Sequence, residues 1–303
     1  MDRRVFIIDA EVRGTAKVGG KVIDDILVHN FFRMLYGILT YRNVSMQDSQ
    51  GKWYIARLTG DLSHKGYSAV AVCNDVDELD FNAYTCDIIE FDTTPSSGLV
   101  VTETEAIATA AKTVNSSGPS AAYYQGLFDV NNNAHSFLLA HIAKSVNAGL
   151  DTIIEFHFKP PFVKGIAAII AAIISDLQTI QTEDTSGNTF TLNGLYQLLA
   201  GAARILLGTG TNPVTPNDFN IQNPIEITTN VAAKINENGA MIVVRGAYIP
   251  DTDITINEMG VVISVKDPDG NNHDVLVMRH VFPSPITLSA GKTYIFGFRI
   301  AYP

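Results

Sequence analysis

The sequence predicts a mainly β protein: two tandem, related β-sandwich units of jelly-roll type, each carrying one or more helices. Three observations lead there. Runs with apolar residues at alternate positions recur along the chain, separated by turns rich in Gly, Asn and Pro. The closing stretch AGKTYIFGFRIAYP repeats the pattern of an earlier one, AGLDTIIEFHFKPP. Residues 26–39 and 165–177 carry apolar side chains at three-and-four spacing, which marks a helix.

The elements follow in order. A lead-in strand is expected at 5–12, then the helix at 26–39. Strands follow at 52–58, 68–73, 87–91, 99–109, 121–128, 136–144 and 151–159. After the helix at 165–177, the second unit has strands near 189–192, 225–229, 231–236, 241–248, 258–265, 274–282 and 293–301. An extra helix is expected at 192–208. PDGNN, VNNNA, NENGA and NSSGPS supply the turns between strands. Three segments result: 1–14 as a lead-in strand available to a neighbouring subunit, 15–160 as unit one, and 161–303 as unit two.

The repeat underlies this division. Aligning Ala148-Gly149 with Ala290-Gly291 sets Ile153 on Ile295, Ile154 on Phe296, Phe156 on Phe298 and Phe158 on Ile300. Upstream, His141 falls on His280, Gly126 on Gly260, Asp80-Phe81-Asn82 on Asp218-Phe219-Asn220, and DSQGKWY on DTSGNTF. The stretch from Phe6 to Gly14 resembles a third instance, with Ile7, Ile8 and Val12 opposite Ile153, Ile154 and Phe158.

Composition narrows the function. The 303 residues are 46% hydrophobic and only 17% charged, so a large core is affordable and the surface is sparsely charged. A net charge of −10 argues against a nucleic-acid partner, which demands Lys and Arg against phosphates. The N-terminal MDRRVFIIDAEVRG is interrupted by Asp9 and Glu11 and does not read as a secretory leader. The most apolar run, GIAAIIAAIISDL, is short for a bilayer span and reads as a buried helix.

Conventional active-site chemistry is sparse. Cys73 and Cys86 are free to pair or to stay reduced, and no metal-ligand spacing surrounds them. GTGTNPVTPND lacks the Lys-Ser/Thr ending of a phosphate loop. His29, His64, His135, His141, His157, His273 and His280 form no helical H-x-x-x-H pair, and no G-x-S-x-G elbow occurs. DVDELD and PDGNNHD lack the calcium-loop pattern. The expectation is no enzyme, no catalytic residue, no cofactor and no metal.

LLGTGTNPVTPNDFNIQNPIEI, ITINEMGVVISV and LVMRHVFPSPITLSAGKTYIFGFRI together resemble a pattern in tailed-phage and archaeal-virus structural proteins: a GTG loop, an Asp-aromatic step, a strand around Glu-x-Gly, and an Arg-x-x-Phe segment before a final strand. The resemblance covers the second unit from Leu206 onward; the first keeps only Asp80-Phe81-Asn82, Gly126-Leu127 and Ala148-Gly149. It implies a self-assembling virion surface component: a filament, fibre, turret, tail or coat. Its partners would be copies of itself, other virion proteins and a host surface receptor. Host attachment through exposed loops is the alternative, and a hydrolase with an unrecognised site is a weaker third. The residues expected at the subunit interface are Phe6, Ile7, Ile8, Val12, Ile295, Phe296, Phe298 and Ile300, because a repeated edge strand can add to a neighbour's sheet.

Overall fold

The computed structural model describes residues 3–18, 20–59, 68–77, 79–92, 96–149, 151–174, 179–193 and 198–302. In chain order the elements are β1 (Arg3–Ala10), β2 (Val12–Val18), β3 (Lys21–Leu27), α1 (His29–Thr40), β4 (Val44–Gln47), β5 (Trp53–Ala56), β6 (Ser68–Cys73), β7 (Ile88–Asp92), β8 (Ser96–Val101), β9 (Ala106–Thr113), β10 (Ser120–Phe128), β11 (Ala134–Ile142) and β12 (Asp151–Phe158). Then follow α2 (Lys164–Ile174), β13 (Thr179–Glu183), β14 (Thr189–Asn193), β15 (Arg204–Gly208), β16 (Ile225–Asn236), β17 (Gly239–Tyr248), β18 (Ile254–Lys266), β19 (Asn272–Leu288) and β20 (Thr293–Tyr302).

Strands dominate, as the alternation requires. They form a nine-stranded sheet of order β7-β6-β10-β11-β3-β2-β12-β9-β8 and a seven-stranded sheet of order β1-β20-β17-β16-β15-β18-β19, plus two hairpins, β4–β5 and β13–β14. The first sheet curls, since its two outermost strands, β7 and β8, follow one another along the chain.

The sheets share an order. From β12 inward the first reads β12-β9-β8 and then β7-β6-β10-β11; the second reads β20-β17-β16-β15-β18-β19. β16 does the work of both β7 and β8: Ile225–Ile227 pair with β15, and Thr228–Asn236 pair with β17. The β10–β11 ladder has a bulge between Tyr123 and Tyr124, and the β18–β19 ladder one between Val261 and Val262. Such bulges re-aim the side chains beyond them.

The ladders correct two expectations. Counted from the twin bulges, Gly260 corresponds to Ala122 and Gly126 to Ser264, so Gly126 does not fall on Gly260. His141 faces Ala122, whereas the residue facing Gly260 at the same rung is Arg279, not His280. His141 therefore corresponds to Arg279. A one-residue slip exchanges the faces of a strand, and indeed His141 is fully buried while His280 is only half-buried.

Other expectations differ from the structure. The strand expected at 99–109 is divided between β8, ending at Val101, and β9, starting at Ala106, and those expected at 225–229 and 231–236 are the single strand β16. The expected strand 5–12 is broken at Glu11, so that β1 joins the second sheet and β2 the first. The β2–β3 hairpin runs on through Ile26 and Leu27, residues expected in the helix, and the helix begins at His29. The extra helix expected over 192–208 is absent from its described residues: β14 ends at Asn193, and β15 runs with Ile205 and Leu207 inward. Alternation along Arg204–Gly208 prevails over the helical spacing of the wider window.

One apolar core runs through both halves and includes Phe31, Leu35, Phe156, Ile170, Ile242 and Phe298. Both helices serve it. α2 is apolar all round after Lys164, and every residue from Gly165 to Ile174 is buried, as such a helix requires. α1 packs on β4 and β11 of its own half and on β16 and β17 of the other. α2 packs on β13 and β19 of its own half and on β8 and β9 of the first. The joint is thus reciprocal, with each half's helix on the matching strands of the other.

Candidate functional site

The expected interface residues gather on one seam. β1 lies parallel to β20, with Phe6 opposite Phe296, Ile7 opposite Gly297, Ile8 opposite Phe298 and Ala10 opposite Ile300. Phe6 stacks on Phe296 with ring centroids 5.1 Å apart and meets Phe282 edge-on at 5.9 Å. Phe296, Phe298 and Ile300 are buried, while Ile295 beside Val5 is partly exposed. At the outer face the Arg299 guanidinium donates to both Asp9 oxygens, at 2.6 and 2.9 Å, and holds that carboxyl below its ordinary range. Val12 is the exception: it belongs to β2 and pairs with Phe158.

Beyond Glu11 the chain changes sheets. The Glu11 carbonyl accepts the Lys159 N–H, and its carboxylate pairs with Lys159 Nζ at 2.6 Å. β1 therefore hangs on a single linking residue between two sheets.

Titratable side chains collect in four further places. Two are alike. His135 places Nδ1 3.5 Å from Asp48 and Nε2 3.4 Å from Asp129, and stacks on Tyr54 at 3.5 Å. His273 places Nδ1 3.2 Å from Asp184 and Nε2 3.2 Å from Asp267, and stacks on Phe190 at 3.9 Å. Each imidazole ties the turn of the small hairpin to the turn of the long one. Asp48 Oδ1 accepts the Gln50 and Lys52 N–H groups, and Asp184 Oδ1 those of Ser186 and Asn188. Gly51 at φ 80 and Gly187 at φ 83 close these turns in the left-handed region that glycine favours. Burial acts to raise the Asp267 pKa, but hydrogen bonds from Asn271 and His273 bring it down to about 2. A polar cleft of about 430 Å³ borders the second clamp, lined by Ser186, Arg204, His273 and Asp274 among others.

The third cluster lies between β2 and β12. Thr15 Oγ1 is 2.7 Å from His157 Nε2 and donates to Glu155 Oε2 at 3.2 Å, while His157 Nδ1 is 3.0 Å from Glu105. A hydroxyl, an imidazole and a carboxylate in series look like nucleophile chemistry. Thr15 is buried, however, and its proton goes to Glu155, so the contacts clamp the two strands. Burial pushes the Glu155 pKa up, but His157 and Lys17 outweigh it and hold the carboxyl at about 2.

The fourth place is the loop returning to each sheet after β6 or β15. Asn74 N–H bonds the Asp87 carbonyl in one, and Thr209 N–H the Gln222 carbonyl in the other. In the first half Cys73 and Cys86 are disulfide-bonded. In the second, the fully buried Glu258 accepts the N–H groups of Gly210 (2.8 Å) and Gln222 (2.7 Å) and the Nε–H of Arg279 (2.7 Å). Arg279 also reaches Asp218 at 2.7 Å. The GTG segment now has a physical reason, because a Cβ at Gly210 would overlap the Glu258 carboxylate.

Sequence reasoning missed these clusters, since their members come from strands far apart in the chain. It also missed the grouping at the first loop, where Cys73 Sγ, an Asp75 oxygen and a ring nitrogen of His141 lie within 4.8 Å of one another. No helix among the described residues is long and apolar enough to cross a membrane. Comparison of the chain with protein families, curated proteins and solved structures finds no match.

Proposed function

We propose that this chain is a self-assembling structural protein built from two copies of one β-sandwich module, and that it stands on a virion surface as a filament, fibre, turret, tail or coat component. The shared strand order, the twin bulges, the twin histidine clamps and the matching loop closures support the duplication. The virion placement rests on the sequence resemblance across the second unit. A non-enzymatic role accords with the clusters around His135, His157, His273 and Glu258, whose titratable side chains are directed at backbone N–H groups and at each other.

The observation that carries assembly is the β1–β20 pairing. β1 is a separate strand, joined through Glu11 alone, completing the edge of a sheet to which the following strand does not belong. Short connections of this kind favour exchange of the element between molecules. In the proposed assembly β1 lies on β20 of a neighbouring copy in the same register. The joint between the halves is the rival surface for contact between molecules. Its reciprocal packing has the pattern of an isologous contact, which occupies both copies of the face inside one chain. The seam, not the joint, is therefore the assembly surface.

Removing residues 1–10 and following mass by light scattering, with electron microscopy, tests this. The full chain is expected to form oligomers or filaments, and the truncated chain monomers that keep their β circular dichroism. Unchanged assembly without β1 overturns the reading, and so does a full chain that stays monomeric at every concentration.

A further inference from the structure

We propose that the Cys73–Cys86 pair is one redox state of a metal site, and that the reduced chain binds a zinc-class divalent cation through Cys73, Cys86, Asp75 and His141. The proposal is independent of the assembly reading. Three of the four donors already converge within 4.8 Å, and Cys86 Sγ is bonded to one of them. His141 reaches the group from β11, on the neighbouring ladder.

His141 supplies a second observation. The side chain is fully buried, and its Nε2 has no hydrogen-bond partner. Its Nδ1 has only a 3.5 Å approach from the Leu79 N–H. Buried polar atoms without partners are rare in folded proteins and call for an explanation. Coordination of the cation through Nε2 provides one, since metals bind the neutral imidazole through either ring nitrogen. Asp75 is held in place by accepting the Asp87 N–H through Oδ2 at 2.8 Å.

Two thiolates, an imidazole and a carboxylate make a four-donor set suited to tetrahedral zinc, and the soft sulfurs disfavour magnesium or calcium. The steps balance. A dithiol or phosphine reductant delivers two electrons, two protons complete the thiols, and the S–S bond breaks as the reductant is oxidised. The divalent cation then binds both sulfurs and displaces two protons to solvent. The second half cannot do the same: at the matching rungs it carries Gly208 and Arg279, and Arg279 is engaged by Glu258 and Asp218.

Cobalt(II) is the probe. The full chain, stripped with chelator and reduced by phosphine without oxygen, is expected to bind one equivalent, with thiolate-to-cobalt charge transfer and the visible bands of a tetrahedral ion. Zinc is expected to displace it and to raise the melting temperature of the reduced chain only. The oxidised chain is expected to show no such bands. His141→Ala is expected to weaken binding by at least about 100-fold, beyond the range seen for residues that merely support ligands. Asp75→Asn, at a half-exposed position, keeps the test open if the histidine variant misfolds, and is expected to weaken binding by about 10-fold or more. The proposal is overturned by equal binding in the oxidised chain, by wild-type affinity in both variants, by a folded reduced chain that takes no cobalt, or by a reduced chain that does not fold with zinc present.

Discussion

The loops that follow β6 and β15 leave their sheets at the same rung and return through the same backbone bond, yet different chemistry secures them. In the first half a covalent bond joins Cys73 to Cys86. In the second, Glu258 gathers two backbone N–H groups and Arg279, and Arg279 reaches on to Asp218. The fold requires that the loop be held there; it does not prescribe the means. A disulfide acts mainly by restricting the unfolded chain. A buried ion network acts only while every member is present.

That difference can be broken by experiment. Arg279→Met leaves Glu258, which is 0% exposed, without its counter-charge. A loss of about 3–5 kcal/mol is expected in urea unfolding. Reducing the disulfide, the equivalent cut in the first half, is expected to remove about 3 kcal/mol for a loop of this size. A reduction that costs more than Arg279→Met refutes the claim that the ionic tie is the more brittle.

A second asymmetry lies at the helix starts. His29 opens α1, and burial first, then the charge of Arg33, push its pKa down to about 4. Near the start of α2 stands Gly165, where a Cβ would run into the β19 backbone. Because the fold resists protonating His29, the unfolded chain binds more protons between pH 6.5 and about 4. Stability is therefore full above that window and falls through it. A gap of this size is worth about 3 kcal/mol. His29→Phe is expected to flatten the curve of urea midpoints between pH 7 and 4, and an unchanged slope would remove His29 as its source.

The smallest effects concern the twin clamps. His135→Ala and His273→Ala are each expected to cost about 1.5–3 kcal/mol, in line with hydrogen bonds to charged partners. The double variant should lose the sum of the two to within about 0.5 kcal/mol, as distant, independent sites do. The His273 loss should also fade in acid: Asp267 has a depressed pKa, so its contribution is present above the ordinary carboxylate range and disappears as pH falls towards about 2. Persistence of that loss at pH 2 would show that packing on Phe190, not the carboxylates, carries it.

Much of the architecture was legible because strands with one buried face write their alternation plainly. Asp-x-x-Gly in DSQGKWY and DTSGNTF correctly marked a recurring turn, and Ala-Gly marked the entries to β12 and β20, where Gly149 and Gly291 take φ of 80 and 70. The β2–β3 hairpin escaped because Lys17, Lys21, Asp24 and Asp25 interrupt its apolar run. The pairing of His141 with His280 followed the letter and missed the ladder by one residue. The clusters around His135, His273, Glu258 and His141 stayed hidden for a simpler reason. Each is assembled across strands, and one sequence without its pairing carries no record of which rungs meet.

Because each helix rests on the strands of the opposite half, neither half is a finished object. Severed between β12 and α2, the pieces would be two unlidded troughs of aliphatic and aromatic side chains, prone to stick to anything until they met again. Folding must accordingly unite distant stretches before either interior is dry, which slows the search and lengthens exposure to wrong partners.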